Sequence, residues 1–312
     1  MGLVGAAADL RTADLREPSG WDAVVTAAAA VSPAGRLGDR SAIGEVYAAE
    51  IATLRDRIRT RTDLAIELPE AIAVCDRHDW LEMMGRLVGR ITAGEAGAAL
   101  VAGPTPIAAG GYAGMLGLLS RRVLGQVDPG LFGGAGLAGL YIVEPNLQMA
   151  AQRFDAEPGV LRRWILAHEL VHIAQFTSAP WLTEHQEDRL TAVLRAAADG
   201  RVDAVALGQL QRLMTVIEGH AEWQMDALLD EDVSALRRAV DRRRRAPDPL
   251  TRLLGALVGL DQKLAQYVTG RAFFTAVAES SVRPTRVFDD PAAVPTTAEL
   301  TAPDRWVARM GG

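Results

Sequence analysis

Apolar positions recur at helical spacing along most of the chain. From Ala42 to Arg59, Ile43, Val46, Ile51 and Leu54 fall on one side with charged residues opposite, which predicts an amphipathic helix. The same spacing predicts helices over Trp21–Val31, Trp80–Ile91 and roughly Ile107–Leu124. The glycine-rich DPGLFGGAG is a loop. Leu140, Tyr141, Ile142 and Val143 then form a bulky run that predicts a short buried strand ended by Pro145. It is the clearest strand, and its partners are not placed by pattern alone. Pro158 suits the first turn of a helix carrying Leu161–Phe176, which Pro180 stops. Thr183–Ala198 and Val202–Leu229 read as long helices with Gly200 between them. Asp241–Arg245, followed by Pro247 and Pro249, reads as a solvated basic loop. Leu250–Ala278 is again helical. Pro284–Pro303 reads as an extended tail, and Leu300–Met310 as a short closing helix that docks Trp306. With no internal repeat and no long linker, the expectation is one mainly α domain over 1–312, with a small β element near 139–144.

Composition adds exclusions. Hydrophobic residues make up 49% and charged residues 23%, a globular balance rather than a disordered one. The net charge of −6 gives no electrostatic case for a nucleic-acid partner. Lys263 is the single lysine, a bias that suits a high-GC coding sequence and carries no function. Cys75 is the single cysteine, so an internal disulfide and a multi-cysteine zinc site are both excluded. The first residues lack a basic segment and reach Asp9 early, so no secretory signal and a cytoplasmic location are expected. No charge occurs between Glu95 and Arg121, but Pro104, Pro106 and the Gly110–Gly111 pair interrupt the stretch. It reads as a loop and a buried helix rather than a membrane span.

The chemistry lies in WILAHELVHIAQF. His168 and His172 are four apart on a helix, so both imidazoles leave one face at a spacing that suits two adjacent corners of a zinc tetrahedron. Glu169, one step round, can reach a water at the metal, the position a general base needs. Trp164, Ile165, Val171 and Ile173 bury this helix, and buried imidazoles and carboxylates require a partner that a divalent cation supplies. A catalytic zinc takes three protein ligands. The third is sought in MTVIEGHAEWQMD, where Glu218, His220 and Glu222 are candidates and Gly219 permits close helix approach. His78 and His185 read as structural, and Cys75 as a small buried hydrophobe.

The Glu-Gly-x-Ala segment resembles the third-ligand segment of gluzincin metallopeptidases, which implies Glu218 as the ligand. Glu222, at the offset where those enzymes usually place an aspartate against a zinc histidine, is implied as an outer partner, with His220 beside it. HELVHIAQF with IEGHAEWQMD, and also LSRRVLGQ, LYIVEPN, GLDQKLAQYVTGRAFF and RWVARM, resemble the zincin-like metallopeptidase family of high-GC bacteria. Some of its members are associated with biosynthesis of a deazaflavin coenzyme, and that association is not carried over. The resemblance runs from about Trp21 to the end. It implies a helical zincin-like fold, with the strand beside the HExxH helix, and one Zn2+ ion.

The function expected is zinc-dependent hydrolysis, foremost of a peptide or small amide, with Glu169 activating the attacking water. Tyr267, His220 and His185 are candidate oxyanion donors, and Tyr141–Asn146 a candidate edge strand for an extended peptide. Two other readings stand beside it: a non-catalytic zinc-binding assembly protein, and a metal-dependent hydrolase of a non-peptide small molecule.

Overall fold

The computed structural model describes residues 21–93, 106–133, 139–245 and 260–311, with the side chains of 106–109, 243–245 and 260–267 outside that description. The chain falls into two compact units. One comprises the residues up to Thr53, Leu68–Pro158 and Leu190–Asp203; the other comprises Leu54–Glu67, Gly159–Arg189 and Ala204–Gly312. No helix among the described residues is long and apolar enough to cross a membrane.

The first unit holds α1 (Asp22–Val31), most of α2 (Arg40–Arg61), α3 (Arg77–Ala93), α4 (Pro106–Ser120), α5 (Glu144–Phe154) and a three-stranded sheet. Its strands are β1 (Ile72–Cys75), β2 (Gly125–Asp128) and β3 (Gly139–Val143), in the order β1-β3-β2. The bulky run predicted as a strand is β3. Leu140 pairs with Ile72 in the parallel ladder and with Val127 in the antiparallel one. Both edges of β3 are thereby occupied, and the chain turns into α5 at Glu144. Tyr141–Asn146 is therefore not a free edge for a peptide, which corrects that expectation. The core of this unit gathers Ala28, Cys75, Trp80, Leu81, Met83, Ala113, Leu116 and Val143. A buried polar pin holds the start of α5. The Asn146 amide donates to the carbonyls of Ser120 (2.8 Å) and Val123 (2.6 Å), and its oxygen accepts from Arg77 Nε at 2.7 Å. His78 bonds the Ser32 carbonyl at 2.8 Å, the structural role expected of it.

The second unit holds α6 (Pro158–Ser178) from Gly159 on, the start of α7 (Trp181–Ala198), α8 (Ala204–Gln224), α9 (Ser234–Arg245), α10 (Leu260–Ala278), α11 (Thr297–Thr301) and α12 (Pro303–Met310). The predicted strand thus belongs to one unit and the HELVH helix to the other. Helix α6 is buried on nearly every side, and its apolar residues are accordingly not confined to one stripe. Helices α8 and α10 cross at two glycines. A Cβ on Gly219 would lie 2.3 Å from the Gly270 Cα, and one on Gly270 would lie 2.3 Å from the Thr215 carbonyl oxygen.

Two expectations are corrected here. Asp241–Arg245 is not a loop but the end of α9, because arginine is a good helix former and Arg237 turns inward to hold the helix. Residues 246–259, with Pro247, Pro249 and the expected start of the Leu250 helix, lie outside the described residues. The tail is also not extended. It coils into 3-10 turns at Pro284–Phe288 and Pro291–Ala293 before α11, and Pro284, Pro291 and Pro303 each open a turn, where a missing N–H loses nothing. Trp306 docks as expected, fully buried, with its indole N–H donated to the Ala293 carbonyl at 2.7 Å. Glu299 closes a capping box with Thr296 and takes a two-pronged hydrogen bond from Arg309 (2.6 and 3.0 Å).

Two outcomes follow. Glycine to alanine inside a helix ordinarily stabilises, but Gly270→Ala is expected to destabilise by about 1–3 kcal/mol, the cost of overpacking. Urea denaturation in which the variant matches the parent would refute the tight crossing. The second concerns Glu299, whose carboxyl Arg309 holds at about 2 against an ordinary 4.5, opposed by partial burial. Because the folded value is the lower one, its stabilisation is complete above pH 4.5 and disappears as pH falls towards 2. Glu299→Gln keeps the cap and loses the ion pair. It should cost about 1 kcal/mol at pH 7, discounted for the half-exposed Arg309, and the gap in melting temperature should close in acid.

Candidate metal centre

Helix α6 supplies two imidazoles one turn apart, and α8 brings Glu218 opposite them. His168 Nε2 and His172 Nε2 lie 3.0 Å apart, and Glu218 Oε2 lies 3.5 Å from each. These three donors are the one group of histidine, cysteine or acidic side chains among the described residues that converges tightly enough to hold a metal ion. A tetrahedron with bonds of about 2.0–2.1 Å has edges of about 3.4 Å, close to all three separations. The three side chains remain 11–14% exposed.

The electrostatics favour a cation. Glu218 Oε2 is buried and accepts no hydrogen bond. At 3.5 Å the two ring nitrogens are too far to serve it well, and a buried carboxylate oxygen left this way costs on the order of 1–3 kcal/mol or more. The two Nε2 atoms face each other, an arrangement that two lone pairs resist and a shared cation reconciles. Burial works against charge on His172, but the adjacent Glu218, with help from Glu169 and Gln175, lifts its value to about 9. Burial likewise opposes the Glu218 charge, yet His172 and His168 hold its carboxyl well below the ordinary range. The site therefore retains a positive charge on an imidazole that a metal ion would displace. Two imidazole nitrogens and one carboxylate oxygen form a donor set that fits zinc.

The remaining predicted residues sort by position. Glu169 is buried and close enough to raise the His172 value. Glu222 is also buried, but its carboxylate accepts from Arg237 Nη1 at 2.8 Å and is not among the described contacts of His168 or His172. Arg237 also grips Asp226 with two bonds (2.6 and 2.7 Å) and lies over the Trp164 ring, so Glu222 ties α8 to α9 and α6. His220 is fully buried behind the triangle rather than in it. Its ring packs edge-on against Phe274 and Phe288, and burial, with His172 nearby, pushes its value down to about 3. It cannot reach a substrate as an oxyanion donor. His185 meets the Trp181 ring and none of the three donors, and the Tyr267 side chain lies outside the described residues.

Gln175 is the residue that sequence reasoning passed over. Fully buried, it bonds His172 Nδ1 through Oε1 (2.9 Å), and through Nε2 it meets the Ile217 carbonyl (2.8 Å) and His220 Nδ1 (3.0 Å). The signal was present: a glutamine one turn after His172, inside a stretch with no other polar side chain before Thr177, needs buried partners.

A family profile described as zincin-like metallopeptidase matches residues 20–205 and 201–307. A crystal structure from Chloroflexus aurantiacus, described as a candidate hydrolase with a novel fold, is similar with a TM-score of 0.78 and 28% identity. The match covers 93% of this chain and 98% of that one. No curated protein matches the chain.

One Zn2+ ion per chain is expected on titration of the metal-free protein. Glu218→Gln should weaken zinc by more than about 100-fold, beyond the 10–100-fold typical of outer partners. Competition against a chromogenic chelator measures this, and unchanged affinity would remove Glu218 from the ligand set.

Proposed function

Because the chain belongs to the zincin-like metallopeptidase family, we propose that it is a zinc-dependent hydrolase whose substrate is a peptide or small amide. The observation that carries this reading is the convergence of His168, His172 and Glu218 around a carboxylate oxygen that is buried and without a hydrogen bond. A Zn2+ ion held there supplies Lewis acidity towards a carbonyl and makes a water acidic near neutral pH. His168 and His172 bind as neutral imidazoles, and Glu218 contributes the single negative charge of the ligand set.

Glu169 would take the proton of the attacking water and return it to the leaving nitrogen. Its charge acts on His172 although Glu169 does not belong to the donor triangle, which separates proton transfer from ligation. A purely structural metal site has no need of such a base, and this favours hydrolysis over an assembly role. β3 has no free edge, so a substrate cannot be held by main-chain pairing with that strand.

Glu169→Gln tests the reading. The variant should keep zinc at wild-type stoichiometry and lose about 10²–10⁴-fold in turnover of peptide and small-amide libraries. Zinc-loaded wild type that cleaves neither library overturns the hydrolase reading, and a fully active variant removes Glu169 as the base.

A further inference from the structure

We infer that Gln175, backed by His220, is a positioning device that fixes His172 in its metal-binding tautomer and sets the affinity of the centre. The inference rests on the metal reading above, but its reasoning begins at a backbone carbonyl. The Ile217 carbonyl can only accept, so the Gln175 side-chain atom 2.8 Å away must be the NH2 group. The same NH2 lies 3.0 Å from His220 Nδ1, which must then carry a lone pair, and the His220 proton resides on Nε2. The remaining Gln175 atom is the carbonyl oxygen, 2.9 Å from His172 Nδ1, which must therefore be N–H. A neutral imidazole protonated on Nδ1 presents its lone pair on Nε2, the atom that faces His168 and Glu218.

The amide cannot turn over. A flip would set its oxygen against the Ile217 carbonyl and leave two donors opposed at His172. Ile217 precedes Glu218, so one buried side chain fixes both the proton on a ligand of α6 and the spacing to the ligand on α8. The His220 Nε2–H finds no conventional acceptor and sits with its ring edge-on to Phe274 and Phe288. These rings hold the imidazole in place while the Gln175 NH2 occupies Nδ1, where an acceptor would otherwise draw the proton. The placement resembles the outer partners of zinc histidines in general, with an amide and a second histidine standing where a carboxylate is commoner.

Nitrogen-15 NMR of zinc-loaded, histidine-labelled protein reads the tautomers directly. His172 should carry its proton on Nδ1 and His220 on Nε2, and the opposite assignment for either overturns the inference. Gln175→Leu, which removes acceptor and donor together, should lower zinc affinity by about 10–100-fold in chelator competition. Gln175→Glu restores the acceptor for His172. Its second oxygen opposes the Ile217 carbonyl, so it should recover only part of that affinity, while switching His220 to the Nδ1–H tautomer, a change that a merely space-filling residue would not cause. Wild-type zinc affinity in a folded Gln175→Leu protein defeats the inference alone, whereas wild type that binds no zinc defeats the metal reading beneath it as well.

Discussion

A carboxylate oxygen buried without a hydrogen bond is the constraint that organises the second unit. Glu218 Oε2 cannot be tolerated there unless positive charge lies within reach, and the imidazoles of α6 are what lies within reach. Their mutual approach, at 3.0 Å, is in turn unfavourable without a proton or an ion between them and the carboxylate. Each group makes the others' position costly unless a cation is shared. That interdependence is a stronger statement than the presence of two histidines at helical spacing.

Holding α8 so that Glu218 meets α6 requires support from behind, and it comes in two forms. The first is steric: Gly219 and Gly270 let α8 and α10 approach until backbone meets backbone, directly after the ligand residue. The second is polar. Arg237 bonds Glu222 and Asp226, and Asp226 accepts the indole N–H of Trp164 on the HELVH helix at 3.0 Å. The network spans α9, α8 and α6 with its charges paired, and its position one turn beyond Glu218 resists rotation of α8. Glu222 thus supports the centre through an arginine.

The sequence made the candidate metal ligands legible because they are local patterns: HELVH within one turn, and an EGHAE segment whose glycine marks a close approach. The helices were legible for the same reason. What escaped was set by partners distant in the chain. β1 and β2 are four residues each, and only their pairing with β3 makes them strands. The same pairing turned a supposed edge into a central strand. The arginine run read as a loop because charge and nearby prolines outweighed helix propensity in the reading, although in the fold Arg237 is an interior residue. Gln175 has no motif of its own, and its role exists only because Ile217 and His220 arrive from another helix.

The tail shows how far the centre's dependence extends. Its prolines suggest an extended strap, yet each of Pro284, Pro291 and Pro303 starts a turn that folds the chain back onto α10. Phe288 walls the His220 ring, its carbonyl takes the Trp181 indole N–H at 2.9 Å, and Trp306 packs edge-on against Phe273 at 5.4 Å. The groups that complete the surroundings of His220 therefore come from residues far beyond the last ligand. A chain that has formed α6 and α8 has the three candidate donors but not yet the wall that keeps His220, and through it Gln175, in place. A metal bound at this centre and docking of the C-terminal segment would then be linked, because whatever stabilises one favours the other by the reciprocity that governs any two equilibria sharing a folded state.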